Sequence, residues 1–434
     1  MSRLVKLWWL QPGWLFALVV GLTMSAAGFQ SDAAYRLYRT AKYLGTEHLV
    51  IAGLAIACFV LGTAVGERTA SRRPVESPPH NLVRTWFRVA TGLTIFGYVV
   101  WFALAVRQGL SLAALFEFFS LSNEAANFDL TEQVFQRIPG ITTCTQFGPA
   151  AVLLGGWLWL HGDRSVRWPV LTIMGLGAFR ALFTSERLAL VELVVPLAIL
   201  GLRGLVLGQV WRPEVRWSLR LAPLAGLLAL GVFFGGFEYF RSWRTYQTSF
   251  DSFPQFVVWR ISGYYTTSHN NGALGLAQHG QWPLPHSTLR NLWEFPGVEG
   301  SPLAYTKLTG VDPAAVHGEM LARYANPELN NEGGLFQPLF DFGLAGGLAF
   351  WGLYGFFAGR AYRGYMTGSF AGLVFYPLVL LSILEVPRLL YLCYTRAFPT
   401  LVLLLLVSWL VSRAAPRSHP SAPELADEPV GAPC

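Results

Sequence analysis

Ten apolar windows punctuate the chain, at roughly 8 to 29, 48 to 66, 89 to 106, 140 to 161, 168 to 184, 188 to 207, 221 to 240, 335 to 358, 369 to 386 and 397 to 412. Each is close to the length a helix needs to cross about 30 Å of hydrocarbon. Lipid offers no partners for backbone N–H and C=O groups, so runs of this length must close their hydrogen bonds internally as helices. The composition agrees: 53% of residues are hydrophobic, 13% are charged and the mean hydropathy is +0.41, outside the balance of soluble domains. The expected fold is an all-α polytopic membrane protein with about ten transmembrane helices. Seven fall within 1–240 and three within 331–412. Residues 241–330 break the pattern, a stretch of roughly ninety polar and aromatic residues too long for an ordinary connection. It is expected to form one large, partly helical extramembrane loop, and function is to be sought there.

The formal charge of +7 does not point to nucleic acid, because its carriers are scattered through short loops instead of forming one basic face. Alternate loops hold them: Arg68, Arg72, Arg73, Arg84 and Arg88; Arg164 and Arg167; Arg203, Arg212, Arg216 and Arg220; Arg360 and Arg363. With Arg3 and Lys6 ahead of the first span and Arg413 and Arg417 after the last, a single sidedness fits. Both termini are expected in the cytoplasm, and the insert outside. Arg36, Arg39 and Lys42 oppose this assignment but are outnumbered. A smaller outer loop is expected at 107–139, with Leu112, Leu115, Phe116, Phe118 and Phe119 on a short interfacial helix. The loop at 67–88, broken by Pro74, Pro78 and Pro79, and the Pro/Ala-rich tail at 413–434 read as cytoplasmic, the tail as disordered. Cys58, Cys144, Cys393 and Cys434 show no paired spacing, so neither a disulfide framework nor a zinc site is implied.

A charge in hydrocarbon costs about 2.5–3.5 kcal/mol on insertion scales, so those within or beside spans need a reason. They cluster at one end of the helices: Arg180, Glu186, Arg187 and Glu192; Glu238, Arg241 and Arg244; Asp341; Glu385, Arg388 and Arg396. The ordinary explanation is salt bridging at helix ends. The functional one is a basic pocket roofed by the insert, where Arg forks bind phosphate oxygens bidentately.

Four stretches bring a family into view: FQRIPGITTCTQFG (Phe135 to Gly148), FTSERLALVELVVPLAIL (Phe183 to Leu200), WRISGYYTTSHNNG (Trp259 to Gly272) and NNEGGLFQPLFDFGLAGGLAFWGLYGFFAG (Asn330 to Gly359). In this order they resemble the oligosaccharide repeat-unit polymerases, the Wzy-type O-antigen polymerases. The resemblance implies polymerisation of undecaprenyl-pyrophosphate-linked repeat units at the outer face of the cytoplasmic membrane. The partners implied are lipid-linked glycan donor and acceptor, membrane lipid, and a possible chain-length regulator and flippase. Related alternatives are an O-antigen ligase or another multispan polyprenyl-linked glycosyltransferase, for which Asp32 is slender support. A non-enzymatic transporter or flippase is disfavoured by the scarcity of polar groups at helix midpoints.

Such a transfer needs a stabiliser for the leaving diphosphate, a base for the attacking hydroxyl and surfaces that orient glycans. Arg187, Arg241 and Arg260 are the expected diphosphate ligands, with salt bridges to Glu186, Glu238 and Asp251 as the plain alternative. Arg180 and Glu192, set deepest in their spans, complete the floor. His269, His279, His286 and His317 are candidate bases. His317 is preferred because it lies on a helix opened by Asp312 and Pro313. Asp341 is the rival, with capping of the eighth span as its structural alternative. Tyr264, with Trp243, Tyr246, Trp259, Tyr265, Trp282 and Trp293, can stack on sugars, and Asn270, Asn271 and Asn331 can bond their hydroxyls. Gly343, Gly346 and Gly347 are assigned to close helix contact. No carboxylate cluster has metal-ligand spacing, so metal-independent, cofactor-free chemistry is expected.

Overall fold

The computed structural model describes residues 7–70, 78–111, 113, 134–135, 138–184, 186–207 and 219–414, without the side chains of 205–207 and 241. The interfacial helix expected around Leu112, Leu115, Phe116, Phe118 and Phe119, the loop residues Arg72, Arg73, Pro74, Arg212 and Arg216, and the tail beyond 414 lie outside the described residues.

Among the described residues the regular structure is helical, with no strands. The longer elements are α1 (Pro12–Phe29), α2 (Thr46–Thr69), α3 (His80–Arg107), α4 (Gly148–Leu160), α5 (Arg167–Phe183), α6 (Leu188–Leu207), α7 (Ala222–Arg241), α8 (Phe253–Gln278), α9 (Pro313–Tyr324), α10 (Gln337–Thr367), α11 (Phe370–Glu385) and α12 (Phe398–Ala414). All ten apolar windows fall on helices. Seven of these, α1, α2, α3, α5, α7, α10 and α12 with their adjoining turns, are long and apolar enough to cross a membrane. The chain therefore has the architecture of a multi-pass membrane protein. The shorter α4 and α11, of 13 and 16 residues, are the most enclosed, with nearly every side chain buried among the others. That burial explains apolar sequence on every face rather than on one stripe.

Local chemistry sets the ends. Gln11 caps α1 ahead of Pro12, Ser252 caps α8 ahead of Pro254, and Ser369 caps α11. Asp312 accepts hydrogen bonds from the Ala314 and Ala315 N–H groups at 3.0 and 3.2 Å, as its position before Pro313 predicts.

The tightest helix pair is α2 with α10. Gly62 and Gly66 on α2 face Gly355 and Gly359 on α10, and a Cβ at any of the four would strike the partner helix's backbone. This is small-xxx-small packing from both sides. The glycines to which the sequence assigned helix contact do something else. Gly343 has φ 66° and ψ −173°, which breaks α10 into a short entry and a long body. A Cβ on Gly346 or Gly347 would meet Phe342 or Leu339 of the same helix. The physical reason is that the bend folds the entry segment back over its own next turn.

Hydrogen bonds sort the connections into two ends. At one end Gln11 reaches Glu67 (2.9 Å), Arg84 reaches Asp163 (2.6 Å) and Trp9 reaches the Leu219 carbonyl (3.0 Å). At the other, Gln30 reaches Thr266 (3.1 Å) and Arg396 reaches both Glu186 (3.3 Å) and Glu192 (2.8 Å). The insert sits at this second end.

Candidate functional site

The insert is organised by α8, whose Thr266–Asn271 run is buried although wholly polar. Its amides are spent on the chain itself. Asn270 accepts from the Tyr43 and Leu44 N–H groups (2.7 and 3.2 Å) and donates to the Ala41 carbonyl (2.8 Å). Asn271 donates to the Leu329 and Asn331 carbonyls (2.8 and 3.0 Å). Both side chains hold loops in place; the Asn270 amide is fully used, so the expectation that it greets sugar hydroxyls is corrected, whereas Asn271 Oδ1 is buried without a donor. His269 is fully buried, donating to or accepting from Thr23 Oγ1 at 3.0 Å, and burial drives its imidazole pKa down to about 3. It stays neutral and out of reach of solvent.

The bend at Gly343 frees α10's entry to receive the insert. The Phe340 carbonyl accepts the Trp282 N–H (2.7 Å) and the Asp341 carbonyl accepts Gln281 Nε2 (3.1 Å). The Asp341 carboxylate takes four donors: the N–H groups of His286 (2.9 Å), Ser287 (2.9 Å) and Thr288 (2.6 Å), and the Thr288 hydroxyl (2.6 Å). It is buried and does not cap α10, whose cap position is Phe336. Both assignments made for Asp341 therefore change: its lone pairs are occupied, which leaves no room for a base, and its structural task is to clasp the loop.

That clasp lines a cavity of about 150 Å³ walled by Trp282, Trp293, Tyr305 and Phe340. His279 stacks on Trp282 (4.3 Å between centroids) and His286 lies edge-on to Tyr305 (4.8 Å). Burial, then the neighbouring His317, lowers the His279 pKa; burial, then Arg290, lowers that of His286. Arg290 donates to Glu294 (2.5 Å), Glu332 (3.2 Å) and the Tyr394 hydroxyl (2.9 Å). Burial alone would raise the Glu332 carboxyl, but Arg290, His317 and the Gln337 amide together hold it below the usual range. His317, on α9, also lines the cavity. Its Nε2 lies 3.1 Å from the Asn330 carbonyl oxygen, which can only accept, so in the neutral ring Nδ1 carries the lone pair.

A second cluster lies beside it, joined through the Gly333 N–H to Arg388 carbonyl hydrogen bond (3.2 Å). Here the guanidinium groups of Arg187, Arg260 and Arg388 surround the Tyr264 ring at 5.8, 5.4 and 5.9 Å from its centroid. Arg187 pairs with Glu238, and Arg260 pairs with Glu238 (3.3 Å) and Glu328 (2.6 Å). Arg388 pairs with Glu385 at 2.9 Å. Of the acids expected as salt-bridge partners, Glu238 serves both Arg187 and Arg260, and Glu328, which was not among them, also holds Arg260. Arg260 Nε and Nη1 and Arg388 Nε are nevertheless buried without a hydrogen-bond acceptor, and Glu238 Oε2 without a donor. Arg241 closes α7 one turn beyond Glu238, and its side chain is outside the described atoms.

Arg180 and Glu192 belong to a third group. Arg180 donates to Glu186 (2.7 Å) and Thr145 (2.7 Å), while Arg396 forms a fork on Glu192 (2.8 and 3.0 Å) and reaches Glu186 (3.3 Å). Tyr391 donates to Glu192 at 3.2 Å. This group is charge-balanced and fully engaged, a tie between α5, α6 and the approach to α12.

The structure thus brings Arg187, Arg260 and Tyr264 together, places His317 in a neighbouring cavity that Glu332, the residue after Asn331, also lines, and sets Arg180 and Glu192 apart. Arg290, Glu332 and Arg388 escaped notice as site residues. Glu332 stands in a quoted motif, but its pairing with Arg290 spans 42 positions and leaves no local pattern. Among the described residues no group of three or more His, Cys, Asp or Glu side chains is placed to hold a metal ion. No protein-family model matches the chain, and neither a curated protein nor a solved structure similar to it is found.

Proposed function

We propose that the protein is a membrane glycosyltransferase that joins undecaprenyl-pyrophosphate-linked repeat units into a polysaccharide at the outer face of the cytoplasmic membrane. The observation that carries this reading is the pair of adjacent sites at the insert end of the bundle. One gathers three guanidinium groups and leaves three of their buried nitrogens without a hydrogen-bond acceptor. The other is an aromatic, histidine-bearing cavity. Buried donors without acceptors are rare in folded proteins, and a diphosphate supplies the oxygens they lack.

In this reading the acceptor hydroxyl gives its proton to His317 Nδ1 as its oxygen attacks the anomeric carbon of the donor glycan. The bond from that carbon to the pyrophosphate oxygen breaks, and lipid pyrophosphate leaves with its charge held by Arg260, Arg388 and Arg187. A positioned base contributes about 10²–10⁴-fold, and preorganised donors at the departing oxygens add to it. The test is deletion of the gene followed by gel separation of surface glycan. A polymerase leaves single repeats and no ladder. Loss of every surface glycan would instead mark a flippase, and an unchanged ladder would remove the proposal.

A further inference from the structure

We infer that the cavity beneath the 279–305 segment is a glycan subsite that accepts uncharged or amino-bearing sugar rings and excludes those carrying a carboxylate. This rests on the glycosyltransferase reading and adds which substrates it takes.

The walls suit a sugar. Trp282, Trp293 and Tyr305 present aromatic surface to the cavity, and sugar C–H faces pack on such surfaces as other apolar groups do. Its volume of about 150 Å³ is that of a cavity that takes one six-membered ring, about 150 Å³. The Trp282 side chain is 9% exposed, and its Nε1–H is buried without an acceptor. An indole N–H can only donate, so the site offers a hydrogen bond that a hydroxyl or ring oxygen completes.

The charge on the lining decides between kinds of sugar. Glu294, Glu299, Glu332 and Asp312 contribute four carboxylates against the single guanidinium of Arg290. Arg290 is already committed to two of those acids and to the Tyr394 hydroxyl. His279 and His286 supply no compensating charge at neutral pH, since burial keeps both in the neutral form, and the third histidine, His317, is engaged through Nε2 with the Asn330 carbonyl. A uronate would therefore bring a fifth carboxylate to a place with no free cation, whereas a hydroxyl or an ammonium meets acceptors. The neighbouring arginine cluster balances its three guanidinium groups with Glu238, Glu328 and Glu385 but keeps buried N–H donors without acceptors, so the phosphate end and the sugar end of one substrate would be told apart by unfilled donors at one site and excess carboxylates at the other.

The test uses the purified full-length protein in detergent micelles, with tryptophan fluorescence and calorimetry reporting direct binding of chito-oligosaccharide, cello-oligosaccharide and oligogalacturonate of equal length. The neutral probes should bind saturably and the uronate at least tenfold more weakly. Added salt should narrow that gap, because exposed charges are screened. Trp282→Phe keeps the ring and deletes the donor, and should weaken neutral binding about tenfold, near the worth of one hydrogen bond. Glu299→Gln, at an exposed position, should bring the uronate closer to the neutral probes. Uronate binding equal to or tighter than neutral binding overturns the inference, as does absence of all glycan binding by a folded protein. Either result leaves the polymerase reading to the glycan ladder. Neutral binding by a protein whose deletion spares the ladder would instead remove the polymerase and keep the subsite.

Discussion

Arg187 on the turn before α6 and Arg260 on α8 meet on one carboxylate, that of Glu238 at the end of α7. Glu238 is fully buried, Arg260 is 1% exposed, and the two come from segments 73 residues apart, 187 to 260. Removing one partner of such a pair leaves an uncompensated charge, which typically costs about 3–5 kcal/mol. Glu238→Gln should lower the thermal midpoint of the detergent-solubilised protein well below that of Arg187→Ala, since it removes the buried carboxylate charge that two guanidinium groups share. Equal midpoints would show that the shared carboxylate is not what holds this junction.

Asp341 tests the clasp between the insert and α10. Asp341→Asn retains one acceptor oxygen and points an amide donor at N–H groups that can only donate, so it should loosen the 281–305 segment nearly as much as Asp341→Ala. Charge-assisted hydrogen bonds contribute about 1.5–3 kcal/mol each, so the combined loss is several kcal/mol. Limited proteolysis should cut within this segment in both variants while the spans stay intact. Resistance equal to the parent protein would contradict the role given to the carboxylate.

The α2–α10 contact makes an internally controlled prediction. Gly355→Ala places a methyl group against the Phe59 backbone and forces the helices apart, whereas Gly53 on α2 has nothing within 4 Å of its would-be Cβ. Overpacking of this kind costs about 1–3 kcal/mol. Gly53→Ala should be neutral or stabilising by up to about 1 kcal/mol through helix propensity. Chemical denaturation of the two variants in one detergent gives the comparison, and similar midpoints would refute the close packing.

His317 is half-buried at the cavity wall with one orienting contact, so His317→Ala should fold normally. If it is the base, glycan transfer should fall by about 10²-fold or more, with substrate binding little changed. Quantified ladder synthesis in membranes from a complemented deletion strain measures this. Full activity in the variant would shift the base elsewhere in the cavity.

The insert should also respond to pH in two stages. His279 and His286 have pKa values below the usual 6.5 because burial disfavours the charged ring. Their contribution to stability is complete above 6.5 and is lost as pH falls below it, since the unfolded chain binds the protons first. Glu332, held below 4.5 by its cationic partners once burial is outweighed, withdraws its contribution only under more acid conditions, below that value. Amide hydrogen exchange over 279–305, corrected for intrinsic rates, should therefore quicken between neutrality and pH 5. His279→Gln should flatten this first stage; an unchanged profile would exclude the histidines as its source.

Much of the bundle was legible because hydropathy acts locally. A window of apolar residues has one way to satisfy its backbone in lipid, and every such window here is a helix. The cap at Asp312 was legible for the same reason, since side chain and N–H lie within three residues. The insert was harder to read. α8 carries Thr, Ser, His and Asn where a buried helix would usually carry Leu or Val, so its burial shows in no hydropathy pattern. Gly343 looked like Gly346 and Gly347 until its backbone angles separated them. Asp341 looked like a helix cap because its acceptors' partners, 286–288, lie more than fifty positions away.

From the residues alone came the helical spans and the crowding of ionisable groups, arginines above all, at one end of them. Tertiary structure alone decided which arginines share an acid, which carboxylate is saturated by donors, and which acids face the aromatic cavity. The reason is range: apolar burial and capping are settled within a few turns of chain, whereas the state of a buried charge depends on whichever distant segment is folded against it.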